Sequence, residues 1–200
     1  MKNSDIKVTG TPKTYGDGAT RNSKEGKGRF DLIPPEPFHL ILDRLTYLRV
    51  CCLKVCVNPV MIWKMAFNDE NYVDTIISLL SFFGEKTKFD ETYVSIDQAY
   101  DNIWNMLFKL AVHFQKGAEI YGEHNCEKGI PAWSFRDSGL RHMNQFFNNE
   151  TDEPHLVSAV WNFWMLLWTI HKEEEQTEKF NKFSKEELLQ TMNKMSRYGE

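Results

Sequence analysis

Glu119 and Glu123 stand four residues apart, a spacing that puts two carboxylates on one face of a helix. Two such hard oxygen donors suit Mg2+, which completes its shell with water and ligand phosphates. An ion held there would support hydrolysis of a phosphoanhydride, activating water while basic side chains stabilise the charge of departing pyrophosphate. The same spacing also describes an ordinary solvated pair. His124 and Asn125 follow directly and serve either as ligand contacts or as turn residues.

A second set with chemical potential lies upstream, in "GATRNSKEGKGRFDLIPPEP", Gly18 to Pro37. Arg21, Lys24, Lys27 and Arg29 are basic, and Gly26 and Gly28 free the backbone between them. Arg29 offers a planar fork of donors matched to phosphate oxygens, whereas lysines add charge with little geometry. Glu25 and Asp31 reduce the field or pair with the same cations. The spacing does not make a Walker A loop. A phosphate anchor and a solvated leader are both consistent with it.

Two further groups fall on helical patterns. In "SFRDSGLRHMNQFF", Asp137 and Arg141 share a face, as an exposed ion pair or as a positioned phosphate ligand, with His142 and Gln145 beside them. His155, Ala159, Asn162, Leu166 and Thr169 form one stripe of a Trp-rich helix. A buried amide such as Asn162 needs a hydrogen-bond partner, either on another helix or on a ligand. Glu150, Asp152 and Glu153 lie close to His155 in sequence.

The elements that must position these residues are helical throughout. Residues 1–35 read as a basic arm rich in Gly and Pro, and 36–200 as one all-helical domain, a compact bundle. Helices are expected over Glu36–Val50, from Asn58 and Pro59 to Phe67, and from Tyr72 to near Gly84. A long helix should open at a Ser95/Gln98 capping box, with Ala99, Ile103, Leu107, Leu110, Phe114 and Ala118 inward. "GEHNCEKGIP" breaks it. Another helix is expected near Ser134–Phe147, and one from Pro154 to about His171. "KEEEQTEK" reads as a solvated break before a last helix capped by Ser184 and Glu187.

The 200-residue chain, 14% aromatic with six tryptophans, has material for one sizeable core. A formal charge of −4 excludes wholesale binding of duplex nucleic acid, which calls for a basic excess, while leaving room for a small anion on a local cluster. Cys51, Cys52, Cys56 and Cys126 lack paired zinc-ligand spacing and, with no signal peptide evident, read as reduced thiols in a cytoplasmic protein. "LVSAVWNFWMLLWTI" is interrupted by Asn162 and too short to span a membrane, so no membrane partner is expected. The abundance of apolar helical faces suggests a homo-oligomer.

Four separated blocks, "GATRNSKEGKGRFDLIPPE", "GAEIYGEHNCEKGIP", "DSGLRHM" and "HLVSAVWN", together resemble the N-terminal domain family of phage dATP/dGTP diphosphohydrolases, found alone or beside MazG-like domains. The family's leader falls on Arg21, Glu25, Gly26, Lys27, Gly28, Arg29 and Asp31. Its Gly-Ala-x-x-Tyr-Gly turn falls on Gly117, Ala118, Tyr121 and Gly122, and its His-Asn pair on His124 and Asn125. Its later motifs match Asp137, Leu140, Arg141, His142, His155, Trp161 and Asn162. Cys126 stands where relatives usually have tryptophan. Residues 50–100 read as an insertion in the family core, and the four-carboxylate metal pattern of MazG is not present in that form.

The resemblance implies a phage-type protein that handles a small phosphorylated purine (deoxy)nucleotide. As an enzyme it would be an Mg2+-dependent pyrophosphohydrolase, with Glu119, Glu123 and His142 catalytic and Glu119, Glu123 and Asp152 on the metal. Arg21, Lys24, Lys27, Arg29 and Arg141 would meet phosphates. His124, Asn125, His155 and Asn162 would contact base or sugar, with Trp133 stacking. The alternatives are a non-catalytic nucleotide binder, including one that sequesters a signalling nucleotide, and a helical structural or partner-binding protein.

Overall fold

The structure is a computed structural model that describes residues 13–14, 16, 20–21, 27–51, 53–67, 71–83 and 93–197, with the backbone alone at 13, 20, 21 and beyond 177. Six helices dominate it: α1 (Glu36–Val50), α2 (Pro59–Phe67), α3 (Tyr72–Leu80), α4 (Ile96–Tyr121), α5 (Ala132–Phe147) and α6 (His155–Arg197). The all-α class expected from the periodicity is therefore observed. Two short antiparallel pairs supplement it. β1 (Lys13–Thr14) pairs with β2 (Thr20–Arg21), and β3 (Lys54–Cys56) with β4 (Tyr93–Ser95) in the register Lys54–Ser95, Val55–Val94, Cys56–Tyr93.

Local sequence accounts for most helix starts. Pro37 enters the first turn of α1, where its missing N–H costs nothing, and Arg49 sits in the last turn, facing the negative end of the dipole. Asn58 Oδ1 accepts from the backbone N–H groups of Val60 and Met61 at 3.1 and 3.2 Å, capping α2. Asn71 Oδ1 does the same for α3 through Asp74 N at 3.2 Å. Ser95 does precede α4, but its side chain makes no capping bond; its residue is extended and closes the β4 ladder instead.

The chain departs from the sequence expectation at the end. α6 runs without interruption through "KEEEQTEK" and through Ser184, so neither the break nor the second capping box exists. No Gly or Pro occurs between His155 and Arg197, and the charged residues there are good helix formers. Lys172 and His171 also reach Glu175 at 3.3 and 3.4 Å, the i,i+3 and i,i+4 pairs that support a solvated helix.

The core is shared by all six helices: Ile41 and Leu45, Ile62 and Ala66, Ile76 and Leu80, Ile103 and Leu110, Phe135 and Met143, and Phe163 to Met165 are buried. Each large apolar side chain removed from water contributes about 1.5–3 kcal/mol. α5 packs tightly on α6 at Gly139, where an added Cβ would stand 2.9 Å from Phe163 Cε1. Arg44 forks onto Asp74 with two bonds of 2.8 Å, tying α1 to α3. The buried Trp164 Nε1 donates to the carbonyl of Pro34 at 3.0 Å, so the end of the leader is part of the same packing. Among the described residues no helix is long and apolar enough to cross a membrane.

Candidate functional site

The leader docks on α4. Gly28 takes φ +75°, a left-handed conformation open to glycine, and its N–H donates to Gln115 Oε1 at 3.1 Å. The next N–H, of Arg29, donates to Ala111 O at 2.9 Å. This places the Arg29 guanidinium against two carboxylates. Nε and Nη2 donate to Asp31 at 2.8 and 2.7 Å, and Nη1 donates to Glu123 at 2.5 Å. Those bonds hold Arg29 above its ordinary pKa and push Glu123 below the usual carboxylate value. Glu119 accepts instead from Gln115 Nε2 at 2.9 Å, so the two glutamates read as a pair have different partners.

Beside the docked leader is a cavity of about 210 Å³ between α4, the 3-10 turn Asn125–Glu127 and α6. Leu32, Phe114, Gly117 and Ala118 give it an apolar wall, while His113, His124, Asn125, Cys126 and Trp161 add polar atoms. Trp161 packs edge-on to Phe114 and Phe135 and tilts against the His113 ring, with centroids 5.4 Å apart. Its Nε1 is buried and has no hydrogen-bond partner among the described residues, at a cost of about 1–3 kcal/mol. Burial holds His113 below its ordinary pKa, with His142 and Lys116 acting in the same direction, and lifts the Cys126 thiol to about 11. His124, held in the left-handed region at φ 56°, bonds through Nδ1 to Glu127 at 2.6 Å.

A histidine cluster lies where α5 meets the start of α6. His142 and His155 are buried, with their Nδ1 atoms 3.2 Å apart. His155 Nε2 donates to Asp152 Oδ1 at 2.7 Å, a bond that lowers the Asp152 pKa. Arg141 donates to His142 Nε2 at 3.2 Å and to Gln145 Oε1 at 3.3 Å, rather than to Asp137 among the described contacts. Burial first, and Arg141 second, keep His142 below its ordinary pKa. Two triads here bring ligand atoms close enough to share an ion: His142, Glu153, His155, and Glu150, Asp152, His155. A cavity of about 510 Å³ lies against the second group, with Lys109, Glu153 and Val157 among its walls. His113 and Lys116 line a further 280 Å³ cavity that shares Lys109, Pro154 and Val157 with it.

The sequence-derived candidates are thus divided. His124 and Asn125 line the apolar cavity, Arg29 instead holds Glu123, and Arg141, His142, Asp152 and His155 gather at the cluster. Asn162 is buried, but its Nδ2 donates to Ser158 O at 2.8 Å within α6, so its amide nitrogen is satisfied without a ligand. Trp133 is 72% exposed on the outer face of α5. Lys27 is exposed, the side chain of Arg21 is not described, and Lys24 lies outside the described residues. Sequence reasoning missed His113, and named Trp161 and Glu153 without giving either a role at a site. The available signal for His113 was its place directly before Phe114 on the inward face of α4.

The protein is thus a mostly helical domain with an apolar slot beside the docked leader and a second pocket against the buried His155. Residues 84–179 match the model of the family described as dATP/dGTP diphosphohydrolase, N-terminal, the family that the separated motifs resemble. The matched span holds every residue lining the apolar cavity except Leu32, and the whole histidine cluster. The chain matches no curated protein and no solved structure.

Proposed function

We propose that this protein handles a purine nucleotide, taking the base into the apolar cavity against Trp161 and His113. The observation that carries this reading is the largely apolar slot walled by the Trp161 and His113 rings, within the family-matched span. A flat heterocycle offers those rings a stacking surface. Asn125 and His124 add polar contacts at the same slot.

The phosphates have a choice of cations. Arg29 is already neutralised by Asp31 and Glu123, so a phosphate must displace a carboxylate to use it fully. Arg141 bonds only to the neutral Gln145 amide and to His142 in the contacts described above, and so presents its charge at lower cost. The reaction we assign is cleavage of a nucleoside triphosphate to monophosphate and pyrophosphate. Water attacks the α-phosphorus, and the bond to the bridging oxygen of the leaving pyrophosphate breaks. A divalent ion, when bound, would screen the phosphate oxygens and lower the pKa of the attacking water.

A second reading, binding without cleavage, is favoured by one observation: Glu119 and Glu123, the expected Mg2+ ligands, are engaged by Gln115 and Arg29. One experiment separates these. The full chain is incubated with dATP or dGTP, with and without Mg2+ or Mn2+, and followed by native mass spectrometry. Monophosphate and pyrophosphate support the enzyme. Nucleotide recovered intact from a complex supports the binder. No complex with either nucleotide, under any of these conditions, removes the reading altogether.

A further inference from the structure

His142 Nδ1, His155 Nδ1 and Glu153 Oε1 form a triangle with edges of 3.2, 3.1 and 3.5 Å, the histidine–histidine edge first and the His155–Glu153 edge last. Donors bound at about 2.0–2.1 Å to one ion stand about 3.3–3.4 Å apart in tetrahedral and about 2.8–3.0 Å apart in octahedral coordination. The triangle is therefore sized to one face of a coordination polyhedron. We propose that it is a site for a borderline transition-metal dication, with Zn2+ the best-suited member, held by two imidazoles and one carboxylate.

The chemistry of the donors sets the class. Nitrogen from two buried imidazoles suits Zn2+, Co2+, Ni2+ or Mn2+, whereas Mg2+ selects oxygen and keeps its water. The site is thus distinct in ligands and in place from the Glu119/Glu123 pair that the sequence suggests for Mg2+. The surroundings agree. His155 Nε2–H donates a hydrogen bond to Asp152 Oδ1, which leaves the Nδ1 lone pair turned towards the triangle, the arrangement by which carboxylates orient metal-binding histidines. In the protein as it stands, a proton on His142 Nδ1 lies within reach of both His155 Nδ1 and Glu153 Oε1. A metal ion takes the place of that proton, which is exchanged through solvent to Nε2 so that the ring stays neutral. Arg141, now donating to His142 Nε2, must then turn aside so that this nitrogen carries the ring proton.

The site is independent of the nucleotide reading, so its test contains no nucleotide. The full chain, stripped with chelator and checked by circular dichroism, is titrated with Co2+, with Zn2+ then added as competitor. Expected are saturable visible d–d absorption, its displacement by Zn2+, and no displacement by excess Mg2+. His142→Ala and His155→Ala abolish the absorption. Glu153→Gln and Asp152→Asn, at exposed carboxylates, weaken Co2+ binding by about 10–100-fold and keep the assignment testable if the alanine variants do not fold. His171→Ala, at the separate His171–Glu175 pair, leaves the titration unchanged. Absence of the absorption in the unmodified chain overturns the proposal. So does a titration that survives in Glu153→Gln and Asp152→Asn, or one that His171→Ala abolishes.

Discussion

Replacing Gly28 by alanine should release the leader from α4 while leaving the helical body folded. Alanine at φ +75° carries a left-handed backbone penalty of about 1–2 kcal/mol. Its Cβ would also stand 2.7 Å from Ala111 Cβ and 3.1 Å from both Ala111 C and Val112 N. Those distances are well inside the optimal carbon separation, about 3.5–4.0 Å, and the obstructing atoms belong to a buried helix that cannot turn away. The leader must move, putting at risk the Gly28–Gln115 and Arg29–Ala111 bonds, each contributing about 0.5–1.5 kcal/mol net. The sum is about 2–5 kcal/mol, limited above by the free energy of docking itself. Tryptic cleavage after Arg29, resolved by mass spectrometry, tracks the undocked population when opening is fast, so 2 kcal/mol reads as about a 30-fold faster cut. Ala111→Gly in the same chain removes the nearest clash but not the φ penalty, and should restore only part of the protection, at its own helix cost of about 1 kcal/mol. Cleavage after Arg29 at the unmodified rate in Gly28→Ala would refute the reasoning.

Three other outcomes follow from the same geometry. Glu123 ionises more readily in the folded chain because Arg29 bonds to it, so its contribution to docking is complete above about pH 4.5. It is lost as pH falls through the lowered folded pKa, so protection of the Arg29 amide relative to the free-chain exchange rate at the same pH should fall over that acidic range and not between neutral and mildly acidic pH. Cys126, with its thiol raised to about 11 by burial, should alkylate far more slowly than the exposed Cys51 at neutral pH, and a bound purine nucleotide should slow it further. Arg44→Met should cost about 1–2 kcal/mol in chemical denaturation, because it breaks the fork onto Asp74 but leaves Asp74 its bond from Asn71 Nδ2 at 2.9 Å.

Helix positions were legible wherever strong local signals coincided. Asn58 before Pro59, and Pro37 before the Ile41, Leu45, Leu48 stripe, mark starts that the structure retains. "KEEEQTEK" misled because charge was read as interruption, although charged residues with no Gly or Pro continue a helix readily. Ser95 misled because its backbone could serve a strand and a helix start together. At the site, His142, His155 and Asp152 were visible one at a time. Their meeting depends on α5 packing along α6 around Gly139, a contact that no local pattern encodes. Glu119 and Glu123 show the converse. Their spacing implied one helical face, but α4 ends at Tyr121 and Gly122 turns the chain at φ 89°, so Glu123 lies beyond the helix, and Gln115 and a leader arginine determine what each carboxylate touches.

The bond from Trp164 to Pro34 O bears on where an excised folding unit can start. A polypeptide begun at Glu36 would keep all six helices in its sequence, yet would enclose an indole N–H stripped of its acceptor. Shortening the N-terminus past that proline therefore damages the interior rather than trimming an accessory.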